Sequence, residues 1–300
     1  MVLPDDLFDF SYFFDLYQSM RELAQMAIPE TWKFHSPQTP AYNDETPILE
    51  KYIRSLYRYL AISYNTASSQ SEKNRYFSMS GPWACFHTGL MTPYFESIYA
   101  LFELNRRRDT RYNWVFKSFC PTSSVKLRGL SLLPDKPVFN HENRYHPEWE
   151  VRINYHHILQ DGANLQRIPQ SVRQLKNLPL LLNASVQYSR ALASLDPSII
   201  VPQLYCRQIQ FLMPICLTNM ETCDLAMTLT PCDGFYYGTT CLTCEMAYIN
   251  ARILSRPSAP WLADLVRGDE NKHRFDYSMI YGMYQQAATD PSIIPSSHRF

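Results

Sequence analysis

The stretch 208–241, QIQFLMPICLTNMETCDLAMTLTPCDGFYYGTTC, contains three apolar segments in close succession. Polar residues that favour turns separate these segments, first between Thr218 and Asp224 and then at Cys232-Asp233-Gly234. Strands joined by short turns of this kind pair with their chain neighbours as an antiparallel meander. The stretch therefore predicts an antiparallel sheet and decides the fold class.

Helical patterns flank this stretch on both sides. Thr46-Pro47 offers a helix cap with proline at the first helical position, and apolar residues then recur at helical spacing through Leu60. The segment Pro169 to Leu195 predicts helix interrupted at Pro179, and a further helix is predicted from about Leu242 to Leu254. Helices combined with an antiparallel sheet are typical of an α+β domain.

The remaining N-terminal part predicts an arm and more strands. Residues 1–45 are rich in Phe, Tyr and Pro, and we expect an N-terminal arm with one short helix near Leu16 to Met26. From Ala84 onward, the runs WACF, SIYALFEL and NWVFKSF predict strands, although Thr92-Pro93 could instead cap a helix. No internal repeat or linker is evident, so we expect a single α+β domain over residues 1–300, with a mostly antiparallel sheet packed by helices. A Rossmann-like α/β fold is the alternative.

The composition disfavours several classes of function. The 300 residues are 46% hydrophobic, and 28 Lys and Arg balance 28 Asp and Glu, so any contact with nucleic acid must use a local basic patch. There are only 8 glycines and no GxxxxGK[ST] or GxGxxG stretch, which disfavours a phosphate-cradling loop for ATP. An acidic N-terminus and the lack of a long apolar run predict a cytoplasmic protein with no membrane contact.

Two cysteines have the CxxC spacing of a zinc half-site or a redox pair. They are Cys241 and Cys244, at the start of the helix predicted after the meander. A structural zinc needs a second pair at comparable spacing, and the other cysteines are spaced too irregularly to supply it. Two thiols that pack into the core are the favoured interpretation, and no metal is predicted.

The stretch 154–164, NYHHILQDGAN, places an imidazole, a carboxylate and an amide close together. His157, Asp161 and Asn164 could orient one another around a substrate. Asp161-Gly162 is also a good turn dipeptide, and Asn164 could cap the element that follows, so turn chemistry is an equal alternative. If His156 and His157 lie on a strand, only one of them faces a given site.

A basic cluster follows the second predicted strand. Its members are Arg106, Arg107, Arg108 and Arg111. Charge runs are usually solvated loop tips. Beside exposed aromatic side chains, the same arginines would suit contacts with RNA phosphates and bases.

Hydroxyl side chains surround a histidine in the stretch 75–89, RYFSMSGPWACFHTG. Ser80 and Thr88 lie close in sequence to His87, which is the minimum for an activated hydroxyl, although no GxSxG elbow is present. His87-Thr88-Gly89 is similar to the His-x-Gly-His signature of class I aminoacyl-tRNA synthetases, but Leu90 replaces the final histidine. Activation of amino acids by ATP is therefore not expected, whereas use of an already activated ester needs no such motif.

Four segments, in chain order, resemble a family known only as a domain of unknown function. They are CFHTGLMTPYFESIYALFELN, WVFKSF, NYHHILQDGANLQRIP and GFYYGTTCLTCEMAYINARILSRPSAPWL, and they span about Ala84 to Leu262. Bacterial members of that family are associated with RNA-binding modules such as cold-shock domains, which implies an RNA partner. A stand-alone chain of this size looks fungal, and this extends the resemblance to the fungal arginine-containing cyclodipeptide synthases. Those enzymes join aminoacyl groups from charged tRNAs as a diketopiperazine.

The leading hypothesis from these observations is a transferase that uses aminoacyl-tRNA, without ATP or any cofactor. An aminoacyl group would leave its tRNA for a hydroxyl nucleophile or a second amino acid, and ring closure would release a cyclic dipeptide. One alternative is a non-catalytic RNA-binding module that stacks bases on Tyr and Trp. Another is a ribonuclease or phosphodiesterase that uses His87 and His157.

The transferase needs a nucleophile, a general acid/base, oxyanion donors and groups that bind the substrate. The candidates for the three catalytic roles, in that order, are Ser80 or Thr88, His87 or His157, and Tyr236 or Tyr237. The candidates for substrate binding are Asp161, Asn164 and Glu245.

Overall fold

The computed structural model describes residues 2–35, 46–106, 112–139, 144–205 and 207–267, which include two five-stranded sheets. The first, sheet A, consists of strands β1 (Ser11–Tyr12), β2 (Ser78–Ser80), β3 (Trp83–Met91), β4 (Ser97–Leu104) and β5 (Trp114–Pro121). Its strand order is β1-β5-β4-β3-β2. The three predicted strands after Ala84 are confirmed as β3, β4 and β5, so the helical alternative at Thr92-Pro93 is wrong.

The second sheet, sheet B, lies later in the chain. It consists of strands β6 (Glu150–Ile153), β7 (Val201–Tyr205), β8 (Gln208–Ile215), β9 (Leu225–Pro231) and β10 (Phe235–Thr243), in the order β6-β10-β9-β8-β7. The predicted meander corresponds to β8, β9 and β10 and is confirmed. Both sheets are mostly antiparallel, so the α+β class is confirmed and the Rossmann-like alternative is wrong.

The two sheets share one connectivity. In each of them the first strand along the chain is an edge strand that pairs in parallel with the last, β1 with β5 and β6 with β10. The other neighbours in both sheets pair antiparallel. In each half, helices connect the first strand to the second. The chain thus repeats one arrangement of strands, although no repeat is evident in the sequence.

The longer helices follow the sequence patterns closely. The helices are α1 (Leu7–Phe10), α2 (Leu16–Met26), α3 (Pro47–Thr66), α4 (Gln70–Tyr76), α5 (Tyr155–Gln160), α6 (Gly162–Leu165), α7 (Gln170–Arg173), α8 (Leu178–Leu195), α9 (Cys244–Arg252) and α10 (Pro260–Ala263). The predicted helices near Leu16, after Thr46-Pro47 and after Pro179 are confirmed as α2, α3 and α8. No helix in the described part of the chain is long and apolar enough to cross a membrane.

The stretch around His156 and His157 is helical. It forms α5 and the short α6, so a strand that points the two histidines to opposite faces is wrong. The expected turn chemistry at Asp161 is present, because its carboxylate accepts hydrogen bonds from the backbone N–H groups of Ala163 and Asn164. These bonds satisfy N–H groups that the first turn of a helix leaves unpaired.

Helix α3 links the two halves of the molecule. Its apolar stripe, which includes Tyr52, Leu56 and Leu60, is buried. The helix packs against β3 and against α9, and α9 in turn packs against β7 and β10. One continuous apolar core therefore runs from the inner face of sheet A to the inner face of sheet B.

The inner face of sheet A is lined with aromatic side chains. The ring of Phe102 lies 5.7 Å from that of Phe86 and 5.2 Å from that of Phe10, measured between centroids. Phe102 and Phe86 are fully buried. Aromatic rings contribute large buried areas, so this face stabilises the fold.

Glycine is required where β3 approaches α3. Gly89 has a φ of +76°, a conformation that L side chains rarely adopt, and an added Cβ would clash with the hydroxyl oxygen of Tyr52. The Tyr52 hydroxyl donates a hydrogen bond of 3.0 Å to the Thr88 carbonyl oxygen. The glycine of His87-Thr88-Gly89 thus allows a close strand–helix contact.

The outer faces of the two sheets are covered differently. A 3₁₀ turn at Val125–Gly129 covers sheet A, where Leu127 packs with Cys85 and Leu101. The long helix α8 covers sheet B. Each sheet therefore buries both faces over much of its area.

Candidate functional site

A cavity of about 590 Å³ lies between α3, α9, the α5–α6 segment and the inner face of sheet B. Small-ligand sites in proteins typically have volumes of about 300–1,000 Å³. The lining residues come from five separate parts of the chain: Ser55, Arg58, Tyr59, Ile62, His157, Asp161, Ala163, Asn164, Arg167, Gln203, Leu204, Tyr205, Arg207, Gln210, Thr228, Thr239, Thr240, Leu242, Met246, Asn250 and Ile253. This is the candidate functional site.

The floor of the cavity is polar because of the strand alternation in sheet B. Along β9, Leu225, Met227 and Leu229 pack on the outer side against α8. The intervening Thr228 points to the cavity, as alternate residues of a strand face opposite sides. Its hydroxyl lies 2.8 Å from that of Thr239. The same alternation that builds the outer core thus supplies hydroxyl groups to the site.

Side-chain amides form a hydrogen-bonded chain across this floor, which we call the amide chain. Asn250 donates to Gln203 at 3.1 Å, Gln203 donates to Gln210 at 3.0 Å, and Gln210 donates to Thr230 at 3.0 Å. Gln203 and Gln210 are buried. Buried amides are costly unless they are hydrogen-bonded, and here each of them is.

Three arginines from separate elements surround the cavity: Arg58 on α3, Arg167 after α6, and Arg207 in the turn between β7 and β8. Arg207 has a φ of +66° and donates a 2.7 Å hydrogen bond to the Thr66 hydroxyl. Among the residues described, no carboxylate lies within 4 Å of any of the three guanidinium groups. Among its described lining residues the cavity therefore carries three arginines against one carboxylate, that of Asp161, in a chain whose net charge is zero.

Three predicted site residues meet at this cavity. The Nδ2 of Asn164 lies 3.2 Å from the Nε2 of His157, and the Asn164 Oδ1 accepts hydrogen bonds from Arg167 and from Thr240, each at 2.7 Å. Asp161, which caps α6, also lines the cavity. Because Asn164 holds His157 on one side and Arg167 on the other, this network fixes an imidazole and a guanidinium beside the ligand space.

The structure places His87 and Thr88 inside sheet A, away from the cavity lining. His87 is 1% exposed, and its Nδ1 accepts a 2.8 Å hydrogen bond from the backbone N–H of Gly89. Burial lowers the pKa of His87 to about 4. The Thr88 hydroxyl donates to the Ile98 carbonyl oxygen at 2.7 Å. Both side chains therefore stabilise the local backbone of sheet A. Neither of them lies in the cavity with His157.

The other proposed catalytic and substrate-binding residues also lie outside the cavity lining. Ser80 lies on the edge strand β2, opposite Trp83. Tyr236 is fully buried beneath the outer core of sheet B, where its hydroxyl oxygen accepts a 2.8 Å hydrogen bond from the backbone N–H of His146. Tyr237 and Glu245 are partly exposed, and neither lines the cavity.

The basic cluster after β4 is only partly described. Arg106 is 85% exposed and forms an ion pair of 3.6 Å with Glu103, near the end of β4. Arg107, Arg108 and Arg111 lie outside the described residues. The described member of the cluster is a solvated side chain outside the cavity lining.

The two cysteines of the CxxC motif do not face each other. Cys241 is fully buried in the outer core of sheet B, and burial raises its pKa to about 12. The sulfur of Cys244 lies 3.7 Å from that of Cys223, in the loop before β9. Within the described ranges, no group of three or more His, Cys, Asp or Glu side chains could hold a metal ion.

Sequence reasoning missed most of the cavity. The unpredicted residues include Arg58, Arg207, Gln203, Gln210 and Asn250, which come from α3, the β7–β8 hairpin and α9. One local signal was available, because Gln203 and Gln210 interrupt otherwise apolar strands, and amides inside such strands indicate a polar buried face. Their convergence with Arg58 depends on the tertiary fold.

Comparison with known proteins identifies the family. Residues 23–261 match the model of a family described as a domain of unknown function (DUF3825), so the chain belongs to that family. The predicted resemblance is confirmed at this level, and the matched region begins further upstream than Ala84. No curated protein and no solved structure matches the chain. The family description names no activity, and the comparisons do not support the link to cyclodipeptide synthases.

Proposed function

We propose that this protein binds RNA, and that the cavity between α3 and sheet B receives a phosphate-bearing single-stranded end. The observation that carries the proposal is the convergence of Arg58, Arg167 and Arg207 on one cavity, with no described carboxylate within 4 Å of their guanidinium groups. Guanidinium groups bind phosphate oxygens through paired N–H donors.

The balance of charge supports a local contact of this kind. With 28 basic and 28 acidic residues, the chain has no overall field that attracts polyanions, so affinity must come from a small patch. A cavity of about 590 Å³ admits a small ligand or one terminal nucleotide. A single-stranded RNA end is small enough for the cavity and needs only a local basic patch, because its last nucleotide can enter while the preceding phosphates contact the arginines.

Binding of a labelled single-stranded RNA, followed by fluorescence anisotropy over a salt series, tests the proposal. We expect Arg58→Ala and Arg207→Ala each to weaken binding by about five-fold to ten-fold and to lower the slope of log affinity against log salt by about one. Arg75→Ala is the matched control, since Arg75 is an exposed arginine on α4 that pairs with Asp135. Equal effects of all three substitutions, or salt-independent binding, would contradict the proposal.

A tRNA-dependent aminoacyl transferase is the second candidate. It is favoured by one observation, which is that His157 and the Asp161 carboxylate line the same cavity as several threonine hydroxyls. In such an enzyme His157 would relay the proton of the attacking amine, and Asp161 would bind the amino group of the substrate. The chemistry would then use the cavity residues in place of His87, Thr88 and Ser80.

Incubation with charged tRNA separates the two candidates. A transferase should deacylate the tRNA at unchanged RNA length and release a cyclic dipeptide detectable by mass spectrometry, whereas a nuclease should shorten the RNA. We expect His157→Ala to lower turnover by about 100-fold or more. His156→Ala is the control, because His156 is an exposed neighbour that does not line the cavity. Stable charged tRNA would leave RNA binding as the proposed function.

A further inference from the structure

The charged and uncharged parts of the cavity lie at different depths. The Arg58, Arg207 and Asp161 side chains are exposed, and Tyr205 is 57% exposed, so these residues form the mouth. Gln203, Gln210 and Thr228 are 1%, 9% and 3% exposed and form the floor. The cavity therefore offers ionic contacts at its mouth and neutral hydrogen bonds in its interior.

The floor presents both donors and acceptors. A side-chain amide has two N–H donors and a carbonyl oxygen with two lone pairs, and the amide chain uses only part of this capacity. Within the described residues, Asn250 makes a single hydrogen bond, through its Nδ2 to Gln203, and no described partner uses its Oδ1. Asn250 is half-buried and lines the cavity, so its amide offers one acceptor and one further donor to a ligand.

We infer that the cavity takes one unpaired nucleotide, with its base directed inward to the amide chain and its phosphate at the arginine mouth. This inference rests on the proposed binding of RNA and names the ligand group that enters. The edges of nucleobases are planar, uncharged and carry mixed donors and acceptors, which amide side chains complement. The rings of Tyr59 and Tyr205, which also line the cavity, are suited to stacking on such a base.

Other phosphate-bearing groups fit this arrangement less well. Inorganic phosphate and ribose 5-phosphate would satisfy the arginines but have no planar edge for the amide chain. A cationic group would need a carboxylate in the interior. Among the described lining residues the one carboxylate is that of Asp161, which lies exposed at the mouth and accepts two hydrogen bonds from the backbone of α6 through its Oδ1. A nucleotide can bind at both depths of the cavity, with its phosphate at the mouth and its base at the floor.

Competition against a bound labelled RNA tests the inference. The competitors are AMP, GMP, CMP, UMP, ribose 5-phosphate and inorganic phosphate. We expect at least one nucleoside monophosphate to compete about ten-fold or more better than ribose 5-phosphate, because stacking and edge contacts add to phosphate binding. If ribose 5-phosphate competes as well as every nucleotide while RNA binding stays salt-sensitive, the base site is wrong and the proposed RNA binding survives. If no RNA binds, both fail.

A substitution at the floor sharpens this test. Asn250→Leu conserves side-chain size and removes the amide, so we expect competition by the preferred nucleotide to weaken about five-fold while that by ribose 5-phosphate stays unchanged. Asn74→Leu is the matched control, since Asn74 is a half-buried helical asparagine on α4, outside the cavity lining. Arg58→Ala should weaken competition by the preferred nucleotide and by ribose 5-phosphate to the same extent. Equal losses for both competitors in Asn250→Leu would overturn the assignment of the base to the floor.

Discussion

The two sheets of this protein share one connectivity and differ in what their inner faces carry. On sheet A the inner face holds aromatic rings such as Phe86 and Phe102, which are fully buried. On sheet B the corresponding side carries Gln203, Gln210 and Thr228 and opens to a cavity. The same arrangement of strands thus has a buried aromatic inner face in sheet A and a polar cavity at the inner face of sheet B.

This difference indicates where function resides in the fold. Apolar burial is the main favourable contribution to folding, so an inner face built from aromatic rings contributes stability. A face built from amides and hydroxyls contributes less and needs hydrogen-bond partners, which a ligand can supply. We therefore expect substitutions on the aromatic inner face of sheet A to change stability, and substitutions of the polar residues on the inner face of sheet B to change binding.

Phe102→Ala should have the largest effect on stability. The Phe102 ring lies among those of Phe10, Phe86 and Phe116 with no exposed surface, and its loss leaves a cavity. We expect the free energy of unfolding, measured by urea denaturation, to fall by about 3–5 kcal/mol. RNA affinity, measured under conditions where the variant remains folded, should stay unchanged.

A second Phe→Ala substitution provides the control. Phe14 is 90% exposed, so Phe14→Ala should change the free energy of unfolding by no more than about 0.5 kcal/mol. A similar small loss in Phe102→Ala would show that sheet A is not the stabilising half, and the contrast between the sheets would fail.

The sequence predicted the elements well because their signals are local. The cap at Thr46-Pro47, the apolar stripe of α3 and the turns of the meander all lie within a few residues of the structure that they specify. The division into two sheets was not predictable in this way. It depends on long-range pairings such as Ser11 with Trp114, in a strand of only two residues.

Only the part of the site that lies within one short stretch of sequence was predictable. His157, Asp161 and Asn164 lie within one short stretch, and the fold does bring them to one cavity. Arg58 and Gln203 join them only through the packing of α3 and sheet B, which no spacing pattern reveals. Conversely, His87 and Thr88 have the residue types of a catalytic site, but the Nδ1 of His87 and the hydroxyl of Thr88 bond to the backbone inside sheet A, and the buried Nε2 of His87 has no hydrogen-bond partner among the described residues.

Sheet A should also show a dependence of stability on pH that originates at His87. Desolvation by burial is the largest cause that lowers the pKa of this imidazole, from 6.5 to about 4. Between these values the unfolded chain binds a proton that the folded chain does not, so the free energy of unfolding decreases as pH falls from 6.5 towards 4. We expect His87 to account for about 2 kcal/mol of the loss between pH 7 and pH 5.

His87→Asn isolates this contribution. The Oδ1 of an asparagine can replace the Nδ1 of His87 as acceptor for the backbone N–H of Gly89. The variant should therefore fold, and its free energy of unfolding should fall less between pH 7 and pH 5 than that of the wild type. Substitution of the exposed His156 in the same way provides the matched control. An identical pH profile for wild type and His87→Asn would exclude a buried neutral imidazole at this position.

Thr228→Val should cause a small change in stability, and its matched partner in sheet A is Thr88→Val. The Thr228 hydroxyl bonds to the Thr239 hydroxyl at 2.8 Å and, more weakly, to the Thr240 carbonyl oxygen at 3.3 Å. All three threonines line the cavity, where water can replace the lost hydroxyl, so we expect a loss of no more than about 1 kcal/mol in the free energy of unfolding.

The Thr88 hydroxyl instead bonds to the Ile98 carbonyl oxygen in a site with no exposed surface, and its loss leaves that carbonyl unpaired, at a cost of about 1–3 kcal/mol. RNA affinity should show the opposite order, with a several-fold loss in Thr228→Val and none in Thr88→Val. A hydroxyl needed only for packing affects stability and leaves binding unchanged. If Thr228→Val lowers stability more than Thr88→Val does, or lowers RNA affinity less, the polar face of sheet B is part of the core and does not form a binding surface.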